Sequence, residues 1–304
     1  MNTIHITLLL LFVAITSASA ANDPYRIETF SVRTGGTVTV RTSGGSISVI
    51  GTTKNEGRVE MTVRKNGRVL SPSETDLSNF TIFIRQEGNN IVATAERRSG
   101  SGNIWSGYNN ESVSFTVFVP AGYSSDLGTS GGSIRVSNLT GTQRVTTSGG
   151  SLTFENVSGE IHGRTSGGSI TADGIRGPFD VSTSGGSIRV RDVEGAMSLR
   201  TSGGSIRIEN ARGRVSGHTS GGSINASFLE VTGPIDMSTS GGSVTVSLPR
   251  DVGFNLDARG NRVVADDVSF SGRTERDRMT GAVNGGGVKV HLRTTAGTIR
   301  IKKS

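Results

Sequence analysis

Taken 18 residues apart, Arg144, His162, Asp180, Ser198 and Ser216 fall into one file, and Asp236 follows after a step of 20. The file holds the components of a nucleophile, a general base and the acid that orients it. That chemistry needs the base between nucleophile and acid. Here the aspartate is central, so the file reads as a solvated ladder with a charge pair, and no catalytic residue is assigned. A second file carries Glu155, Asp173 and Glu209, the kind of carboxylate set that β-helical polysaccharide lyases and hydrolases use as acid and base or to hold calcium. Arg191 interrupts it, and Arg135, Arg189 and Arg207 run up the neighbouring file. Interleaved opposite charges describe a salt-bridged, soluble face. The chain has no cysteine, no His/Cys cluster and no GGxGxD calcium repeat, so neither metal nor cofactor is expected.

One irregular stretch offers binding chemistry. "RRSGSGNIWSGYNNES" sets the only tryptophan, Trp105, with Tyr108 beside Arg97 and Arg98. Aromatic rings on such a segment stack on sugars or anchor a partner. The alternative is that Trp105 folds back to cover the body of the protein. Both readings stay open on sequence alone.

The spacing that creates the files comes from a repeat. "TSGGSI", with at most one letter changed, starts at Thr129, Thr147, Thr165, Thr183, Thr201, Thr219 and Thr239, with a further copy at Thr42. With the threonine as position 1, position 6 is Ile134, Leu152, Ile170, Ile188, Ile206, Ile224 and Val244. Positions 8 and 11 are also apolar, the latter including Ala211 and Leu229, as are 15 and 17. Two alternating stretches per unit have the period of half-buried strands. Glycines at positions 3, 4 and 13, and Asn or Asp at 10, mark the turns between them.

No unit of this size buries its own inner face. Stacked strand over equivalent strand, the units form an all-β, right-handed parallel β-solenoid, one coil per repeat. Parity turns the threonine inward, where its methyl packs and its hydroxyl bonds the threonine above or below. A left-handed hexapeptide-repeat solenoid would need aliphatics at positions 12 and 18, which are polar or charged, such as Thr140, Ser158 and Arg176 at position 12.

Four stretches follow. Residues 1–20, with "ITLLLLFVAI" and "ASA", read as a signal peptide, so the mature chain is exported to the periplasm, cell surface or medium with no later membrane span. Residues 21–128 combine first coils with extra capping strands, including a hairpin turning at "EGNN". Residues 129–248 are the regular array, and 249–304 are irregular coils with a closing strand. Charge is concentrated at that end, where residues 239–304 hold 11 Lys/Arg against 6 Asp/Glu. The array is almost neutral and lacks interleaved aromatics, which argues against nucleic acid.

The order of segments resembles the DUF4097 family of exported repeat-containing β proteins, often labelled adhesins. The matching stretches are the "GGTVTVRTSGGSISV" opening, strands ending "VPAGY", the TSGG array and "VNGGGVKVHLRTTAGTIRI". The resemblance covers nearly all of the mature chain and implies no catalytic residue. The expectation is a non-catalytic adhesin or envelope scaffold binding surface glycan or protein, with Trp105, Tyr108, Arg97 and Arg98 as candidate contacts. The alternative is a β-helical carbohydrate-active enzyme.

Overall fold

The computed structural model describes residues 24–75, 77–98, 111–266 and 269–303. The expected signal peptide, with Trp105 and Tyr108, lies outside them. The described chain is all β, with 26 strands and no helix. Ile134, Leu152, Ile170, Ile188, Ile206, Ile224 and Val244 pair in parallel, one above the next. This file is buried throughout. A second parallel sheet stacks Gln143, Ile161, Phe179, Met197, Val215 and Ile235 in the same way. The two sheets enclose one continuous apolar core. The chain is a β-solenoid.

The repeat's letters each have a structural cause. The threonines are buried as parity requires, at 2% exposure for Thr147 and Thr165. Their hydroxyls do not bond one another, however. Thr147 Oγ1 donates to Gly132 O of the preceding coil at 2.8 Å and accepts from Gly150 N of its own coil at 3.2 Å. The same pair of bonds recurs at Thr129, Thr165, Thr183, Thr201, Thr219, Thr239 and Thr294. Glycine carbonyls and N–H groups lie nearer the hydroxyl than the next threonine does, because the chain turns inward at position 4. The serine at position 5 adds its own ladder: Ser151 N donates to Ser133 Oγ at 3.2 Å, and so on up the stack.

Position 4 is glycine for close approach. A Cβ at Gly186 would stand 2.1 Å from Gly168 O, whereas one at Gly185 would meet Gly167 O at 3.4 Å, an ordinary contact. The chain itself makes the distinction: Ala296 stands at position 3 of the last coil, but position 4 remains Gly297. Left-handed backbone is used elsewhere, at position 10. Asn138 (φ 58°), Asn156 (53°), Asp192 (51°) and Asn210 (58°) make that bend. In the coil after Thr219 the residue at this position is Phe228, and the bend is lost. The register slips, Phe228 pairs with Ala211 in the core, and Leu229, expected inside, is left 50% exposed.

Both ends are built alike. Thr37–Thr42 and Ile47–Thr52 form a coil lying between the array and an outer coil made of Asn90–Arg97 and Glu111–Pro120. The outer coil is covered by antiparallel strands, Phe80–Glu87 on one sheet and Glu56–Lys65 with Arg26–Ser31 on the other. At the other end, Val288–Thr294 and Thr298–Lys303 slot between the array and an outer coil of Phe254–Arg259 and Arg262–Ala265. The last strand therefore does not close that end. Arg278–Val283 and Phe270–Thr274 do, again antiparallel.

These contacts set the cost of single changes. Gly186→Ala is expected to lower unfolding free energy by roughly 2–4 kcal/mol, because it forces two backbones apart. Gly185→Ala should fall within about 0.5 kcal/mol of wild type in the same urea titration. Thr183→Val keeps shape but loses both bonds, at a cost of about 1–3 kcal/mol. Ile188→Asp, a charge in the continuous core, should cost about 4 kcal/mol or more. Equal midpoints for the two glycine variants would refute the close-approach account.

Candidate functional site

On the sheet carrying positions 14 to 18, residues at even positions point outward. Lateral pairing confirms the file first read from sequence, Arg144, His162, Asp180, Ser198, Ser216, Asp236, and lengthens it. Asp126 precedes it, and His291 and Asp257 follow. A parallel outward file at position 18 holds Thr146, Arg164, Ser182, Arg200, His218 and Ser238.

No catalytic relay forms along it. His162 Nε2 is 3.0 Å from Glu160 Oε1, and Asp180 is held by Arg200 at 3.2 Å. Ser198 Oγ is shielded and has no hydrogen-bond partner in the described structure. A serine–histidine contact that the single-file reading missed does occur, across two files. His218 lies between Ser216 (Nε2 to Oγ, 3.0 Å) and Ser238 (Nδ1 to Oγ, 2.6 Å). A hydroxyl thus stands where an orienting carboxylate would be needed, and the strands' N–H groups are engaged in the sheet ladder rather than aimed outward. His291 is similarly occupied, between Asp236 at 3.3 Å and Asp257 at 3.7 Å. It ties the inserted C-terminal strand to both neighbours.

The carboxylates of this face are either occupied or far apart: His291 fills the space between Asp236 and Asp257. Asp180 and Asp236 line one cleft but are three rungs apart, roughly 14 Å at the spacing of paired strands. Inverting glycosidases hold their two carboxyls at about 6.5–9.5 Å. On the opposite sheet Glu155 and Asp173 are lateral neighbours. Each is engaged by its own arginine, Glu155 by Arg135 at 3.0 Å and Asp173 by Arg191. That hydrogen bond pushes the Arg191 guanidinium above its ordinary pKa. Arg207 likewise holds Glu209 at 2.5 Å. The salt-bridged face expected from sequence is present.

The position-16/18 face is different, because clefts run along it. One of about 510 Å³ is lined by Arg41, Arg97, Asp126 and Thr146. The next, about 360 Å³, lies among Arg144, Thr146, His162, Arg164, Asp180 and Arg200. A third, about 400 Å³, has an apolar floor of Pro178, Ala196, Met197 and Pro234 between Asp180, Arg200, Arg214 and Asp236. Neighbouring clefts share Thr146, then Asp180 and Arg200, so they adjoin as one groove along this face. Arg41–Asp126 (2.6 Å) and Arg200–Asp180 are paired within it. Arg144, Arg164 and Arg214 make no ion pair or side-chain hydrogen bond among the described residues.

Of the residues singled out from sequence, Arg97 is on the groove. Its guanidinium packs over the Phe80 ring at 5.2 Å and donates to Glu111 O at 2.9 Å. Arg98 is exposed and turned to the capping hairpin, where Nε donates to Thr81 Oγ1 at 3.2 Å. The two arginines are not brought together. Trp105 and Tyr108 lie outside the described residues.

A family model described as Toastrack DUF4097 matches residues 13–302. Solved structures of similar extent include a "putative cell adhesion protein" from Clostridium sporogenes (12% identity, 93% of this chain and all of that one, TM-score 0.22). Others are a "putative adhesin" from Bacteroides fragilis (12%, 92% and 96%, 0.40) and a "putative lipid binding protein" from Parabacteroides distasonis (14%, 93% and 97%, 0.41). No curated protein matches the chain. The TSGG coils, their inserted ends and a family match spanning the array and both ends lead to one assignment: the chain belongs to the Toastrack DUF4097 family.

Proposed function

We propose that this protein is an exported, non-catalytic binding module, an adhesin or envelope scaffold, that holds a surface glycan along the position-16/18 groove. The observation that carries this is a run of three adjoining clefts on an outward face that is continuous over seven coils, from Asp126 to Asp236. Six steps at the strand spacing make roughly 29 Å. Hydrogen-bonding groups recur at each step, a period comparable with the advance of an extended pyranose chain. The groove also offers apolar floor beside charged rims, the mixture a sugar's two kinds of surface require. The leader-like residues 1–20 support export, and no helix among the described residues is long and apolar enough to cross a membrane. The separated carboxylates and engaged histidines support binding without cleavage.

The reading is tested by filling the groove. Ser182→Trp places an indole in it, while Thr171→Trp places one on the opposite outer face. Against a panel of immobilised cell-surface polysaccharides, Ser182→Trp is expected to weaken retention by about tenfold, or about 1.4 kcal/mol. Thr171→Trp should leave it unchanged. Equal retention of both variants would overturn the groove assignment. Reducing-sugar or unsaturated product released above background, and abolished by altering one carboxylate, would establish the enzymatic alternative.

A further inference from the structure

We infer that the groove's ligand is anionic, an acidic glycan, and that Arg144 and Arg164 together grip one of its oxyanion groups. This rests on the glycan-binding reading and names the ligand's chemistry. Arg144 pairs laterally with His162, and Thr146 with Arg164. Arg164 is therefore one rung and two residues from Arg144, on the same outward face. At the spacings of paired strands their Cα atoms are about 8 Å apart, within reach of two long side chains converging on one anion.

Their surroundings leave them available. Asp126, the carboxylate beside Arg144, is already held by Arg41 at 2.6 Å. Arg164 has only hydroxyls as lateral neighbours, Thr146 and Ser182, and Asp180, diagonal to it, is held by Arg200 at 3.2 Å. Glu160, the nearest acid on that strand's approach, is engaged by His162 at 3.0 Å. On the opposite face Arg135, Arg191 and Arg207 are each paired with a carboxylate, and among the described residues Arg189 stands alone rather than beside a second unpaired arginine across a cleft. Two unpaired guanidiniums flanked by two hydroxyls, within one cleft of about 360 Å³, present the donor set that carboxylate, sulfate or phosphate oxygens accept.

The groove's shape selects among carriers of such an anion. A flat anionic membrane pressed on this face would meet Asp180, Asp236 and Glu160 as well as the two arginines, and gain little. A narrow polymer fits the cleft and sets one of its anionic groups against the Arg144–Arg164 pair.

Titration calorimetry of the full chain separates the possibilities. The probes are an oligogalacturonate, its carboxyl-reduced neutral counterpart, inorganic phosphate alone, and phosphatidylglycerol vesicles. The acidic oligomer is expected to bind at least about tenfold more tightly than the neutral one, with Arg144→Gln and Arg164→Gln each losing about tenfold for the acidic form only. Arg189→Gln, an exposed unpaired arginine on the other sheet, should change nothing. Thermal melts of all three variants should match wild type. Equal affinity for acidic and neutral oligomers would sink this inference and leave the groove reading intact. A loss in Arg189→Gln equal to that in Arg144→Gln would reduce it to diffuse charge attraction and overturn it. Vesicle binding that needs Arg144 and Arg164, without oligosaccharide binding, would assign the pair to a membrane. Absence of binding to either oligosaccharide, with Ser182→Trp also without effect on the polysaccharide panel, would remove both readings.

Discussion

The threonine hydroxyl at the head of each coil is the contact on which the rest depends. It sits between two glycines one coil apart, donating to one carbonyl and accepting from the other's N–H, as at Thr183 with Gly168 and Gly186. A turn so tight would otherwise strand polar backbone inside the solenoid, at a penalty of about 1–3 kcal/mol for each unsatisfied group. The hydroxyl removes that penalty and fixes the height of the next coil. Once that height is set, the aliphatic files fall into register automatically. Identical letters recur because identical corners do. Any side chain at position 4 breaks the arrangement, since a Cβ at Gly186 would stand 2.1 Å from the carbonyl oxygen of Gly168.

A stack held this way has a weakness at its ends, where an unpaired edge frays or recruits other strands. The chain answers by withdrawing its own terminal coils. The first coil lies under a later one, and the last lies under an earlier one. Antiparallel strands then cover both strands of the N-terminal outer coil and Phe254–Arg259 of the C-terminal one, so those edges are spent on the chain itself. The coils nearest the termini thus gain two neighbours instead of one. The contacts that lock them are far apart in sequence, such as Val38 with Ile91 and Met237 with Leu292. Such pairing carries a larger loop-closure cost than contact between successive coils does.

The regular array was almost fully legible in sequence, because its constraints are local and repeated. Periodicity gave the core files, parity gave the buried threonines, and Asn or Asp at position 10 gave the left-handed bend. Three things were not legible. The hydroxyl's partner was misassigned, since parity says which way a side chain points and not which backbone atom meets it. Leu229 falls outside the core because Phe228, unlike Asn or Asp, is poorly suited to the left-handed bend on which the register relies. The interleaving of the ends depends on long-range pairing, of which a repeat count contains nothing. The groove escaped for a related reason. Charges summed along a file look balanced, and the imbalance at Arg144 and Arg164 emerges only after Arg41 has taken Asp126.

The same repetition explains why a file containing serine, histidine and aspartate need not be catalytic. Catalysis requires several groups to converge on one point, and parallel stacking keeps them at equal intervals along a line. Each polar side chain instead meets a close partner on its own strand or the next: His162 meets Glu160, Asp180 meets Arg200, and His218 meets two serines. What a line of evenly spaced groups can match is another line. A polymer with a comparable repeat gains a contact at each step without any residue leaving its rotamer, and the affinity accumulates with length rather than at a single pocket. The coil spacing that the threonine clamp imposes on the core is thereby also the spacing that the outer face offers to a ligand.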